Sequence, residues 1–315
     1  MIKIIEKKPK LVADYLNGNS HIKLYEDGTR IIETEDDELK LDFPLNMDVT
    51  ITHRCDHGCK FCYLNCTPDG EHADILKPSF LDTLHPGTEL AINLNCMDHP
   101  QLSKFLIRMR DKGIFVNGTI NQDHFMRYHK VLEGLCKSKC LWGLGISLTK
   151  ATPEFIQLVK RFPNAVIHVI NGILLPDDIE MMRNHGLKLL ILGYKNIGRG
   201  EDYQIENDVM LHMRQRYLYD VLPTLVNCFE VISFDNLAIE QLNAKRLVDR
   251  NRWDELYQGD EGTSTFAVDM VSGVFSLNSM VTDPQRLYPI MGTVEDMFTV
   301  IQNERKNNKK LNIGG

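Results

Sequence analysis

The sequence lacks any long apolar stretch. No run approaches the roughly 18 apolar residues of a membrane-spanning helix, and the N-terminus has no long apolar core before a cleavage site. We therefore expect neither membrane association nor a secretory signal, and a cytoplasmic location. A Walker loop, a Gly-x-Ser-x-Gly element and paired nucleotide-binding glycines are also missing. Their absence removes the best-known phosphate-binding and hydrolase motifs from consideration.

Basic charge is also scarce. The 315 residues carry 36 Lys and Arg against 43 Asp and Glu, a formal net charge of −7 at pH 7. Proteins that bind a nucleic-acid backbone usually need a basic surface, so a long nucleic acid is not the expected partner. Hydrophobic residues make up 43% and charged residues 25%, which is typical of a globular protein and excludes a disordered or fibrous chain.

A regular alternation of strand and helix patterns runs from residue 46 to about residue 250. Strands are predicted over 47–52, 88–94, 113–120, 141–147, 165–170, 187–192 and 230–234. Helices are predicted over 101–112, 123–138, 153–162, a segment ending at Gly186, 206–222 and 236–249. Such alternation indicates βαβ units with right-handed crossovers and a parallel sheet. Six or seven units can curl into an incomplete (βα)6-type TIM-like barrel, an α/β fold.

The pattern changes on both sides of this region, which predicts three parts: 1–44, 45–250 and 251–315. Asp27-Gly28 and Ser272-Gly273 each lie between two apolar-alternating runs and predict two-residue hairpins. A last helix is predicted over 293–304. The two β-hairpin extensions could form a docking wall for a peptide or plug the open side of the barrel, and we expect the plug.

Four of the eight cysteines fall within twelve residues. Cys55, Cys59 and Cys62 follow the first predicted barrel strand with the spacing Cys-x3-Cys-x2-Cys, and Phe61 precedes the last of them. Three thiolates can bind three irons of a [4Fe–4S] cluster and leave the fourth iron open, whereas most such clusters use four cysteines. The alternative is a zinc site completed by Cys66 or His57.

This loop resembles that of the radical S-adenosylmethionine (radical SAM) superfamily, with Phe61 at the family's aromatic position. The resemblance covers roughly residues 45–240. It implies an incomplete barrel whose cluster lies at the C-terminal ends of the strands. It also implies that S-adenosylmethionine binds the open iron, is cleaved by one electron and yields a 5′-deoxyadenosyl radical that takes hydrogen from a substrate. Segments 43–48, 191–195 and 233–238 further resemble an uncharacterised, phage-like lineage of the superfamily.

The resemblance also implies cofactor contacts from residues at the strand ends. Many family members have a Gly-Gly-Glu-like turn after the second strand, where this sequence has Asn93 and Asn95 instead. Those two asparagines either bind the cofactor or are turn residues that cap a helix. At Asn121, Ser147 and Asn171 the alternative to a cofactor contact is a cap at the start of a loop. The cofactor-contact candidates are Phe61, Asn93, Asn95, Asn121, Ser147, Asn171, Gly193 and Tyr194.

Further polar residues are candidates for the substrate and the radical chemistry. Lys195 and Arg199 could pair with a carboxylate or phosphate, or be solvated charges on a surface turn. Asp235 could bind substrate or cap a helix. Cys96 could return a hydrogen atom to a product radical, or be a small buried side chain. His168 is expected to be a satisfied interior histidine.

The sequence therefore predicts a radical SAM enzyme with a [4Fe–4S] cluster and S-adenosylmethionine as cofactors. The substrate stays open between a peptide side chain and a small metabolite or nucleotide. A one-electron reductant such as flavodoxin or ferredoxin is the implied partner. The alternative function is a non-catalytic iron–sulfur or zinc-binding protein.

Overall fold

The computed structural model describes residues 9–313, with side chains through residue 307. Residues 1–8, on which the expectation about a signal segment rests, lie outside the described part. The strands are β1 Leu11–Asn17, β2 Ser20–Tyr25, β3 Arg30–Glu33, β4 Asn46–Thr50, β5 Glu89–Asn93, β6 Phe115–Asn121, β7 Gly143–Ser147, β8 Ala165–Ile170, β9 Lys188–Leu192, β10 Val231–Phe234, β11 Thr265–Asp269, β12 Val274–Ser276 and β13 Tyr288–Pro289. The helices are α1 Leu102–Asp111, α2 Gln122–Lys137, α3 Pro153–Val159, α4 Pro176–Met182, α5 Arg199–Leu225, α6 Asn236–Leu242, α7 Arg250–Leu256 and α8 Val294–Ile313.

A ten-stranded sheet organises the molecule, in the order β10-β9-β8-β7-β6-β5-β4-β11-β12-β13. Every neighbouring pair from β10 to β11 is parallel, and the pairs β11–β12 and β12–β13 are antiparallel. The predicted mixed α/β class with a large parallel sheet is confirmed. The seven strands predicted between residues 47 and 234 are present to within two residues at each end.

Alternation along each strand decides which side chains enter the core. In β8, Ile167 and Val169 are buried among the helices, whereas Val166, His168 and Ile170 line a cavity on the other face. This two-residue period is that of a strand covered on both faces. Polar residues just after the strands begin the helices, since Asn121 caps α2 and Asp235 caps α6 through side-chain hydrogen bonds.

The sheet curves around one cavity of about 860 Å³. Residues from each of the nine strands β4 to β12 line it, and within β6, β8, β9 and β12 these are every second residue. Side chains from nine strands can meet in one cavity only if the sheet is curled. Within the described residues β10 does not pair with β13, so the curled sheet stays open at that edge.

The C-terminal strands are not a separate appendage. Strand β11 pairs antiparallel with β12, but it also pairs in parallel with β4, from Thr265 opposite Asn46 to Asp269 opposite Thr50. The segment predicted as an extension therefore continues the main sheet beside its first strand. The antiparallel pairing places both β11 and β12 in the wall of the cavity.

The N-terminal segment forms a three-stranded antiparallel sheet, β1-β2-β3, with one strand more than the predicted hairpin. Asp27 and Gly28 of its turn line the cavity together with Glu89 at the N-terminal end of β5. Arg30 forms a largely buried ion pair with Glu89. This sheet therefore lies at the N-terminal ends of the barrel strands, opposite the ends that carry the cysteine loop.

Among the helices of residues 9–313, none combines the length and apolar character that crossing a membrane requires.

Candidate functional site

The cysteine loop follows β4 at the C-terminal edge of the parallel sheet. Cys55, Cys59 and Cys62 are half-buried and form no disulfide. Phe61, Tyr63 and Leu64 of the same loop line the cavity. In barrels built from parallel strands, this edge carries the active site. The three thiols thus lie beside the cavity, on a loop that forms part of its wall.

Arg199, the first residue of α5, holds the loop from one side. Its Nε donates to the carbonyl oxygen of Cys59 and its Nη2 to that of Cys66, both at 3.0 Å. Its backbone N–H donates to the carbonyl oxygen of Cys62 at 3.2 Å and to Oδ1 of Asn65 at 2.8 Å. Three carbonyls of the loop are therefore fixed by one residue. Arg199 does not line the cavity, so the structure places it at the loop rather than at a substrate.

Helix α2 holds the loop from another side. The buried ring of His124 bonds Asp56 through Nε2 at 2.5 Å, and Nδ1 of His57 lies 3.3 Å from the carboxylate of Asp123. Asp56 and His57 stand between the first two cysteines, so both contacts restrain the part of the loop that Arg199 does not reach. His57 is thus engaged with α2.

The two asparagines after β5 bind the chain that leads into the loop. Asn93 accepts from the N–H of Ile51 at 2.8 Å and donates to the carbonyl of Thr52 at 2.7 Å. Asn95 donates to the carbonyl of Arg54 at 2.8 Å and lies 3.7 Å from the Cys66 sulfur. Their side-chain amides are used within the protein, but neither caps a helix, because both bind the segment that follows β4.

The thiols of the loop differ in acidity. A hydrogen bond from the Cys66 thiol lowers the pKa of Cys62 to about 5, and the same bond raises the pKa of Cys66. Burial raises the pKa of Cys59 to about 11 and, less strongly, that of Cys55. The hydrogen bond therefore favours Cys62 over Cys66 as the thiol that loses its proton first. Metal binding requires the other ligating thiols to lose their protons as well.

The three thiols of the loop are the candidate donors for a metal centre. Within residues 9–313, no group of three or more His, Cys, Asp or Glu side chains is arranged to hold one metal ion. A structural zinc needs four ligands around one point, and the loop as it stands does not provide them. Three thiols are also one fewer than the four that most iron–sulfur clusters use.

The other predicted site residues divide into two groups. Seven line the cavity, namely Phe61, Asn93, Ser147, Gly193, Tyr194, Lys195 and Asp235, and five do not, namely Asn95, Asn121, Asn171, Arg199 and Cys96. Asn121 caps α2, and the buried Asn171 donates to Gln241 at 3.0 Å. Most strand-end positions therefore reach the cavity, but several polar groups there are already used to build it.

Cys96 is placed away from the cavity. It is 6% exposed, and its thiol donates to Oδ1 of Asp98 at 2.8 Å. Asp98 in turn pairs with Arg54 at 2.5 Å. Burial, together with Asp98, raises the pKa of Cys96 to about 11. Cys96 is thus a small buried thiol that bonds Asp98 and does not line the cavity.

The segment after β9 brings one cation to the mouth of the cavity. Nζ of Lys195 donates to the hydroxyl of Ser279 at 2.8 Å and lies 3.9 Å from the centre of the Tyr63 ring. Tyr194 is buried, and its hydroxyl donates to the carbonyl of Gly200 at 2.6 Å. The N–H of Gly193 is held by Asp235 at 2.9 Å. Of these residues, Lys195 has the side chain available to a ligand.

Sequence reasoning missed three polar groups in or beside the cavity. Asp48 on β4 lines the cavity, and burial raises the pKa of its carboxyl group. Burial, and secondarily Asp48, raises the pKa of Glu261 to about 7. His168 lines the cavity rather than being satisfied in the interior, and burial lowers its pKa to about 4. For Asp48, the missed signal was a charged residue in the middle of a parallel strand.

The lack of a side chain at Gly145 makes room for the ring of His168. A Cβ on Gly145 would lie 2.3 Å from the imidazole of His168 on the next strand. The ring therefore occupies the space that a side chain at residue 145 would fill. Because its pKa is low, the ring is neutral at pH 7 and can donate or accept a hydrogen bond in the cavity.

Comparisons with known proteins show which solved structures share this fold. No protein-family model matches the chain, and no curated protein matches it. Among solved structures, the chain is similar to the crystal structure of Streptococcus suis SuiB bound to S-adenosylmethionine. That match has a TM-score of 0.53 and 16% identity, and it covers 79% of this chain and 64% of that chain.

A second crystal structure of SuiB matches over a larger share of both chains. Its TM-score is 0.54 at 14% identity, with 94% of this chain and 88% of that chain covered. At such low identities the likeness shows a shared fold. The chain thus has the same mixed α/β architecture, with its large parallel sheet, as SuiB.

Proposed function

We propose that this protein is a radical SAM enzyme in which Cys55, Cys59 and Cys62 hold a [4Fe–4S] cluster. The observation that carries the proposal is the position of the loop, held by Arg199 and α2 at the C-terminal edge of the sheet and beside the cavity. The likeness of the fold to SuiB, one of whose structures binds S-adenosylmethionine, supports the same reading.

When bound, a reduced cluster supplies the electron that cleaves S-adenosylmethionine to a 5′-deoxyadenosyl radical able to take hydrogen from a substrate. Within this chain, Arg199 and α2 keep the loop in place, and Asn93 and Asn95 fix the segment that leads to it. Ser147, which has no side-chain hydrogen bond within the described residues, is the group we assign to the cofactor. The curled sheet and the N-terminal sheet enclose the cavity and limit access of water.

Deeper polar groups are assigned to the substrate. The side chains of Asp48 and His168 line the cavity, and neither side chain has a hydrogen-bond partner among the described residues. A carboxylate and a neutral imidazole select a polar substrate with groups that donate hydrogen bonds, either a small metabolite or one side chain of a peptide. Flavodoxin or ferredoxin is the proposed reductant, and the cytoplasm, where thiols stay reduced, is the proposed location.

The test is reductive cleavage of S-adenosylmethionine. The protein is reconstituted with iron and sulfide without oxygen, reduced with dithionite and assayed for 5′-deoxyadenosine. We expect 5′-deoxyadenosine only when reductant is present and only from the chain with its three loop cysteines. A fully loaded cluster that releases none under these conditions would contradict the proposal and leave the non-catalytic iron–sulfur alternative.

Cys96→Ala is expected to leave this cleavage unchanged. The thiol bonds Asp98 outside the cavity, so its loss should lower the free energy of unfolding by about 1 kcal/mol through a small cavity and one hydrogen bond. Denaturant unfolding and 5′-deoxyadenosine formation measure the two effects separately. A normally stable variant with altered cleavage would return Cys96 to the reaction.

A further inference from the structure

Helix α5, the longest helix of the described residues, carries an exposed apolar stripe. The stripe comes after Arg199, the residue of α5 that contacts the cysteine loop. Ile205, Val209 and Met213 lie four residues apart on α5, and 74%, 74% and 68% of their surfaces are exposed. Side chains at this spacing are neighbours on one helix face. Asn207 departs from helical geometry between them, with φ −128° and ψ 20°, but all three apolar side chains still point outward.

Charged residues surround the stripe in an antisymmetric pattern about Val209. Asp202 and Glu206 precede it, and His212 and Arg216 follow it, all of them exposed. Asp202 and Arg216 are each seven residues from Val209, and Glu206 and His212 are each three residues from it. The exposed charges named beside the stripe are therefore acidic before Val209, and after it they are His212 and Arg216 together with Asp220, the partner of Arg216.

We infer that α5 forms the interface of a homodimer, in which two copies pack antiparallel about a two-fold axis at Val209. Such an axis places Ile205 of one copy against Met213 of the other, and Val209 against itself. It also places Asp202 against Arg216 and Glu206 against His212, twice each. An isologous interface of this kind requires one surface to be complementary to itself, and the residue pattern of α5 has that property.

The pattern favours a second copy over another occupant. Asp202 and Glu206 have no ion-pair partner among the described residues. Arg216 contacts Asp220 at 2.9 Å and His212 contacts Asp208 at 3.2 Å, both on the same exposed helix, and such pairs contribute little and exchange easily. An unrelated partner would need only one of the two charged halves, whereas a second copy uses both.

The dimer is expected to be weak and concentration-dependent. One helix pair buries less than the roughly 1,600 Å² of a standard interface. Because α5 begins at Arg199, and Tyr203 contacts the Phe61 ring at 5.8 Å, the partner copy comes to lie close to the cysteine loop. The inference does not depend on the proposed chemistry, because its readout is molecular mass.

The test is sedimentation equilibrium of the full chain in reducing buffer over a range of concentrations. Wild type should pass from monomer to dimer. Asp202→Arg should raise the dissociation constant at least about tenfold, since it creates two like-charge contacts across the axis. Asp202→Arg combined with Arg216→Asp should restore dimerisation, because the charges are exchanged. Val209→Glu should leave a monomer.

Val131→Glu is the matched control, since Val131 is 55% exposed on α2 and receives the same charge off the stripe. It should dimerise like wild type, and unfolding midpoints should show that every variant is folded. A wild type that stays monomeric at all concentrations overturns the inference. So does a dimer that survives Val209→Glu, or a double variant that is as weak as Asp202→Arg alone.

Discussion

Replacing Cys55, Cys59 or Cys62 by Ala should abolish stable iron binding. Each change leaves two of the three thiolates, too few to hold a [4Fe–4S] cluster. The loop itself should keep its path, because Arg199 binds backbone carbonyls and α2 binds Asp56 and His57. Iron and acid-labile sulfide per chain, with visible absorption after anaerobic reconstitution, measure the loss.

Cys66→Ala is the control that separates an open cluster from a closed one. Cys66 is buried next to the loop, and its thiol donates a hydrogen bond to Cys62. We expect this variant to keep its iron. If it loses iron as completely as Cys62→Ala, the fourth iron has a protein ligand and the proposed site for S-adenosylmethionine is wrong. Cys136→Ala, on α2, tests for a general effect of losing a thiol.

The barrel strands could be predicted because their sequence signal is local. In residues 165–170 and 187–192, for example, short apolar runs lie between turn residues, and the structure has β8 and β9 there. Strand β1 was missed because its outer face carries apolar side chains, with Leu16 75% exposed. Helix α7 buries no residue, so it has no apolar period to detect.

The position of β11 could not be predicted from local pattern. Thr265 and Asn46 are opposite each other in the sheet, yet more than 200 residues separate them in the chain. The alternation of apolar and polar residues in each segment does not specify which strand that segment pairs with. A hairpin signal therefore looked like an extension, although β11 completes the wall of the cavity.

The candidate site was predictable where function depends on spacing, and not where it depends on contacts. The spacing of Cys55, Cys59 and Cys62 can be counted directly in the sequence. The role of Arg199 is not, because its partners are backbone carbonyls more than 130 residues earlier in the chain. A cation after a glycine-rich segment looked like a ligand for an anion, but the glycines serve to bring α5 up against the loop.

Gly198→Ala should lower the free energy of unfolding more than Gly186→Ala, a glycine substitution away from the loop. Gly198 has φ 57° and ψ −142°, a region essentially restricted to glycine. A Cβ there would lie 2.6 Å from the carbonyl oxygen of Tyr63 and 2.8 Å from Oδ1 of Asn65. The start of α5 would have to move away from the loop and take Arg199 with it. We expect a loss of about 3 kcal/mol or more in unfolding free energy, from backbone strain and steric overlap together.

Gly186→Ala is the control that separates steric overlap with the loop from the cost of a positive φ alone. Gly186 also has a positive φ, 65°, but a Cβ there would meet nothing within 4 Å, so the change should cost only about 1–2 kcal/mol of backbone strain. Iron retention provides the second readout, since only Gly198 lies beside the loop. If Gly198→Ala destabilises the protein no more than Gly186→Ala and retains its iron, the contact between α5 and the loop does not hold the cysteines. If it loses iron while the control keeps it, the position of α5 decides whether the three thiolates can act together.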